Sequence, residues 1–139
     1  MTTGIDLSQP QAQAIRSDED VVRVRQLVRT VAVAAKLSLV DQTKVVTAAS
    51  ELARNTLVYG GGGGVEVTIV DNGRRRGVRI VFADSGPGIA DLDLALTDGY
   101  TTGGGLGLGL SGARRLVDEF DIDTGAGKGT RVSVTKWAR

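Results

Sequence analysis

The sequence predicts an α+β protein, a two-layer α/β sandwich in which a mixed, mostly antiparallel sheet is covered on one face by helices. Three observations carry that prediction. Apolar residues recur at helical spacing over two long early segments. Later they alternate with polar residues in segments that fall into hairpin pairs. Between the pairs lies a glycine-rich stretch that leads into a further helical segment.

Residues 1–14 read as a flexible N-terminus and 15–139 as a single domain, with a short edge strand from Gln11 to Arg16 after Pro10. Ser17 or Asp18 caps a helix that runs to about residue 36, and Glu19 and Asp20 suit its first turn. Val21, Val24, Val28, Val31 and Ala35 fall within about 80° of one another at 100° per residue, and Arg23, Arg25 and Arg29 lie off that stripe. Asp41 or a neighbour opens a second helix, running to about Tyr59. Its apolar side is Val45, Val46, Ala49, Leu52, Ala53 and Leu57, with Lys44, Glu51 and Asn55 roughly opposite. Gly60 to Gly64, an uninterrupted glycine run, ends it.

Val65, Val67 and Ile69 alternate with Glu66 and Thr68, Asp71-Asn72-Gly73 marks a turn, and Val78, Ile80 and Phe82 alternate on the return. This hairpin delivers Asp84 to a strand end. Residues 91–96 suit a helical turn and 97–105 a loop. A helix over about 108–119 points Leu110, Ala113, Leu116 and Val117 inward. Phe120–Asp123 and Thr130–Trp137 form a closing hairpin around the glycines of 125–129.

Composition removes several chemistries. The 139 residues contain no cysteine and no histidine, which excludes disulfides, thiolate metal sites, cysteine nucleophiles and histidine general catalysis within this chain. Acid–base work falls to carboxylates, lysine, tyrosine or water. A net charge of +1 gives no global attraction to nucleic acid or membrane, and neither is expected as a partner. The first residues lack a basic region followed by an apolar core, and no apolar run approaches the roughly 20 residues that span a bilayer. A cytoplasmic protein is expected.

Glycine, 20 residues in blocks, is used about twice as often as average and marks the candidate site. Glu51 and Asn55, one helical turn apart, suit either a solvated face or a cleft lined by a carboxylate and a neutral oxygen donor. The second arrangement would orient a hydroxyl and hold Mg²⁺ among phosphates. Asp84-Ser85-Gly86-Pro87-Gly88 suits a plain turn, or a carboxylate accepting from a base amino group while glycines admit the flat ring. Thr101, Thr102, Gly103, Gly104, Gly105, Gly107 and Gly109 suit a lid whose amides and hydroxyls meet phosphates at a helix start. Gly107 to Gly112 also spells GxGxxG, but the residues before it form no strand, so a dinucleotide fold does not follow. Residues 125–130 fail the Walker pattern because Lys128 precedes glycine and no helix comes next. Arg74, Arg75 and Arg76 read as an exposed turn.

In order, ELARN (51–55), DSGPG (84–88), GGGLGLGL (103–110) and GKGT (127–130) resemble the four ATP-binding boxes of the GHKL superfamily, which includes gyrase B, Hsp90 and histidine-kinase catalytic domains. The phrases ADSGPGI, DGYTTGGGLGLGL, RRLVDEF and KWAR are similar to the RsbT-type serine/threonine kinases, the anti-sigma factor kinase family. The resemblance implies the GHKL (Bergerat) ATP-binding fold and use of ATP and Mg²⁺. Asn55 would be the metal ligand and Glu51 the catalytic base or orienting carboxylate. Asp84 would meet the adenine amino group, with Gly86 and Gly88 shaping the base pocket and Thr130 beside Asp84. Gly103, Gly105, Gly107 and Gly109 would close over the phosphates. The resemblance also implies STAS-domain substrates in a stressosome-like stress response, and binding of a PP2C-type phosphatase. The alternative is an anti-sigma factor that sequesters a sigma factor and phosphorylates its antagonist.

Overall fold

The computed structural model describes residues 7–89, 91–96 and 109–139. In chain order the elements are β1 (Gln11–Ile15), α1 (Asp18–Ala34), α2 (Leu39–Val58), β2 (Gly63–Asp71), β3 (Arg76–Asp84), α3 (Leu92–Ala95), α4 (Gly109–Arg115), β4 (Glu119–Thr124) and β5 (Thr130–Trp137). Among the described residues the strands form one sheet in the order β1-β2-β3-β5-β4. Every pairing is antiparallel, so the parallel component of the expected mixed sheet is absent from them. The edge strand expected after Pro10 is present as β1 and pairs with β2, so residues 11–14 belong to the sheet rather than to a flexible N-terminus.

The core lies between one sheet face and the two long helices. Ile15, Val65, Val67, Val78, Ile80, Phe82, Val132 and Val134 come from the sheet, and Val24, Val28, Val31, Val45, Ala49 and Leu52 from α1 and α2. The period of two in the strands and of 3.6 in the helices puts these residues on facing surfaces. Burying them is the main force holding α2 to the sheet.

Local signals set the helix ends. Ser17 Oγ accepts the Asp20 amide at 3.3 Å, and Asp18, Glu19 and Asp20 occupy the positive end of α1. The helix ends earlier than its apolar stripe suggests. Lys36 turns left-handed at φ 68°, and the Lys36 and Leu37 amides close back on the Val33 and Ala32 carbonyls. The cap of α2 is Ser38 rather than Asp41: its Oγ accepts the Asp41 amide at 3.1 Å.

Asp41 is buried for another reason. Lys136 Nζ, itself buried, lies 3.6 Å from Asp41 Oδ1 and 3.4 Å from Asp118 Oδ1. Arg139 Nη2 adds a 2.7 Å contact to Asp118, whose other oxygen accepts the Trp137 amide at 2.7 Å. Partial burial pushes the Asp118 carboxyl up, but the Trp137 amide, Lys136 and Arg139 outweigh it and hold its pKa below the ordinary 3.8. The same residue explains why α4 stops at Arg115 instead of reaching 119. The Asp118 amide bonds to the Thr135 carbonyl at 2.9 Å, drawing the chain into the sheet and leaving Leu116 and Val117 half-buried beyond the helix. None of the described helices is long and apolar enough to cross a membrane.

Candidate functional site

One face of α2 is committed to the core, which leaves Glu51 and Asn55, half-buried and one turn apart, on the flank toward α4. The Gly109 amide, at the first residue of α4, donates to Glu51 Oε1 at 3.4 Å. Gly109 takes φ 69°, which a side chain would oppose, and buried Leu110 and Ala113 seat α4. The Glu51 carboxylate is thereby tied to the downstream end of the glycine-rich stretch.

The other end of α2 builds a second feature. Helix closure uses the Tyr59 and Gly60 amides on the Asn55 carbonyl and the Gly62 amide on the Thr56 carbonyl. Gly60 then lies directly against Asp84, where a Cβ would overlap the carboxylate. Asp84 ends β3 and stands in register with Gly63 of β2 and Thr130 of β5. Its Oδ1 accepts the Gly86 amide at 2.9 Å, which fixes the carboxylate and turns the chain. A carboxylate held half-buried at a sheet end, walled by glycine, is chemically suited to an amino donor on a flat ring.

Gly86 and Gly88 serve this wall through backbone packing. A Cβ on Gly86 would come within 2.7 Å of Gly60 Cα, and one on Gly88 would overlap the Gly125 carbonyl. Thr124 was not anticipated and is the hub of this corner. Its Oγ1 accepts the Ile89 amide at 2.9 Å and donates to the Gly129 carbonyl at 3.0 Å. With the only Thr124 hydroxyl proton spent there, the 2.9 Å contact between the two threonine hydroxyls uses the proton of Thr130. Thr130 therefore keeps a lone pair, rather than a proton, for the site. The Gly127 amide also donates to the Pro87 carbonyl at 2.6 Å, so the 85–89 loop is docked on the β4–β5 turn. Only the polarity of Thr124 at a strand end hinted at this in the sequence, because its partners are remote.

Thr101, Thr102, Gly103, Gly104, Gly105 and Gly107 lie outside the described residues. The structure thus brings Gly109 to Glu51, with Asn55 one helical turn from Glu51, and groups Asp84, Gly86, Gly88 and Thr130 beyond the other end of α2. Among the described residues no cluster of three or more acidic side chains exists that could hold a metal ion. A side-chain amide oxygen such as that of Asn55 is a chemically acceptable Mg²⁺ ligand where phosphates and waters complete the shell.

Residues 40–138 match the family described as histidine kinase-, DNA gyrase B-, and HSP90-like ATPase. The chain is 43% identical over 125 residues to the serine/threonine-protein kinase RsbT of Bacillus subtilis (strain 168), covering 90% of this chain and 94% of that one. This chain belongs to the RsbT-type serine/threonine kinases of the GHKL superfamily. As a kinase of this type it uses ATP, and its relatives place it among regulators of the anti-sigma factor class. It is also 32% identical over 116 residues to an anti-sigma F factor of Clostridium novyi (strain NT), covering 76% of this chain and 81% of the relative. Among solved structures it is similar to the RsbU and RsbW domains of a Mycobacterium tuberculosis protein, with TM-score 0.66 and 23% identity over 94% of this chain. It spans only 33% of that protein's chain. A second match is the mycobacterial sensor histidine kinase MprB, with TM-score 0.55 and 17% identity over 95% of this chain and 98% of the other. At these identities the structural matches speak for the fold alone.

Proposed function

We propose that residues 15–139 act as one kinase domain that transfers the γ-phosphoryl group of ATP to a serine or threonine of a STAS-domain antagonist or scaffold protein, in a stressosome-like stress response in the cytoplasm. The observation that carries this reading is the shared flank of α2, where Glu51 and Asn55 stand one turn apart and the Gly109 amide meets Glu51 at 3.4 Å. Asp84 accepts from the adenine amino group, Thr130 presents an acceptor lone pair beside it, and Gly60, Gly86 and Gly88 let the backbone close up into the wall behind the base. Thr101, Thr102, Gly103, Gly104, Gly105, Gly107 and Gly109 are proposed to gather over the phosphates. Mg²⁺, when bound at Asn55, would neutralise phosphate charge.

Glu51 orients the acceptor hydroxyl and takes its proton as the new O–P bond forms and the bond to ADP breaks. General-base assistance of this kind is worth about 10²–10⁴-fold. Purified kinase, labelled ATP and a STAS-domain protein test the assignment. Glu51→Gln is expected to lower phosphotransfer by about that factor while ATP affinity stays within roughly threefold. Phosphotransfer at the wild-type rate would exclude Glu51 as the base.

The kinase is also proposed to bind and activate a PP2C-type phosphatase once it leaves its substrate. The 32% identity to an anti-sigma F factor favours one second reading, in which the chain sequesters a sigma factor and phosphorylates its antagonist. Stoichiometric capture of a sigma factor in gel filtration would select it, and co-elution with the phosphatase alone would select the first.

A further inference from the structure

We propose that a groove between α1 and α2 receives the acceptor segment of the protein substrate and selects one with carboxylates beside its serine or threonine. The proposal rests on the kinase reading of Glu51 and deepens it. The groove encloses about 470 Å³; Arg25, Gln26 and Arg29 of α1 form one wall, and Thr47, Ser50 and Glu51 of α2 the other.

Its position along α2 is the first argument. Gly60, against Asp84, lies at one end of the helix, followed by Asn55, Glu51 and then the groove residues Ser50 and Thr47. At 1.5 Å rise per residue, Thr47 stands about 20 Å from Gly60 along the axis. A nucleotide whose base meets Asp84 and whose phosphates pass Asn55 approaches Glu51 from the Gly60 side. The attacking hydroxyl must enter roughly in line and opposite the departing ADP, which is the side where the groove opens.

Charge is the second argument. Arg25 and Arg29 stand one turn apart and both are exposed, an arrangement in which like charges repel. Among the described residues neither has an ion-pair or side-chain hydrogen-bond partner. Arg23 on the same helix is paired instead, with Asp20 at 2.7 Å and Glu19 at 3.8 Å. Among the described residues Glu51 is the only carboxylate lining the groove, and it is engaged by the Gly109 amide. The groove is therefore net positive, with the Thr47 and Ser50 hydroxyls beside the guanidinium groups. Carboxylates flanking a serine would meet the arginines while the serine hydroxyl reaches Glu51, and a lysine-flanked segment would be repelled.

The test uses the full chain and two fluorescein-labelled peptides with a central serine, one flanked by aspartates and one by lysines. Anisotropy titration is expected to show binding of the aspartate peptide only. The double variant Arg25→Glu, Arg29→Glu should weaken it about tenfold or more, and should bind the lysine peptide better than wild type does. Reversal of Arg74 and Arg75 on the distant β2–β3 turn should change neither. Equal binding of both peptides, no binding of either, or unchanged binding by the α1 variant would overturn the groove assignment. A matching loss of ATP affinity in the α1 variant would also overturn it, by placing the arginines on nucleotide phosphates. Phosphotransfer to a STAS-domain protein is scored separately. If transfer succeeds while the peptides fail to discriminate, only the groove falls. If charge-selective binding occurs without transfer to any STAS-domain protein, the STAS-substrate reading falls and the groove stands.

Discussion

At its C-terminal end α2 meets the sheet through bare backbone, whereas its N-terminal end meets the sheet through buried charges. Gly60 touches Asp84 because neither it nor Gly86 carries a side chain to hold the segments apart. Asp41, in the first turn, is instead held by Lys136, which Asp118 shares. Glu51 and Asn55 sit between these anchors, so both help fix where the catalytic flank stands. The glycine contact forms part of the nucleotide corner itself and tolerates no added atom. The ion cluster lies away from that corner and supports only the position of the helix. The two anchors therefore fail in different ways.

Lys136→Met should have the largest effect, on stability alone. It leaves buried Asp41 with only the exposed Arg139, 4.0 Å away, and breaking a buried pair costs about 3–5 kcal/mol. Chemical denaturation measures that loss, while ATP affinity well below the melting range should match wild type. A fall in affinity of the still-folded protein would show that the two anchors are coupled.

Gly60→Ala is expected to cost about 1–3 kcal/mol through overlap with Asp84, and to weaken ATP binding about tenfold or more as the carboxylate shifts. Calorimetric titration with ATP reads the second effect. Unchanged affinity would free Asp84 from the adenine role.

Ser38→Ala removes the cap of α2 and should cost about 1 kcal/mol with no change in ATP affinity. The smallest effect is the pH dependence of the ion cluster. The folded pKa of Asp118 is lowered, so its contribution is fully present above the unfolded carboxylate value and is lost as pH falls through the folded one. The stability gap between wild type and Asp118→Asn should hold near neutral pH and shrink below about pH 4. A constant gap would mean that Asp118 acts through packing alone.

Within the chain, local signals were legible from residue order. The stripes of α1 and α2, the alternation in β2, β3 and β5, and the hydroxyl before α1 rest on interactions within a few residues. For that reason Glu51 and Asn55 were found side by side before any packing was known. The α2 cap was misplaced because Asp41 and Ser38 are both cap-forming residues. Only the burial of Asp41 beside Lys136 distinguishes their roles, and that depends on β5. Likewise the predicted 108–119 helix carried enough apolar residues to continue, and the pull of Thr135 and Trp137 on Asp118 ended it.

By itself the sequence determined which faces are apolar, where the chain turns, and that a carboxylate and an amide share one helical flank beside glycine-rich segments. Tertiary structure alone decided that Gly60 lies on Asp84, that Thr124 ties the 85–89 loop to the β4–β5 turn, and that Arg25 and Arg29 border a groove ending at Glu51. The division has a physical cause. Helical and strand periods are written into neighbouring residues, whereas Ile89 and Thr124 stand 35 positions apart and Gly109 and Glu51 stand 58 apart. Such contacts exist only after burial of the core has brought their elements together.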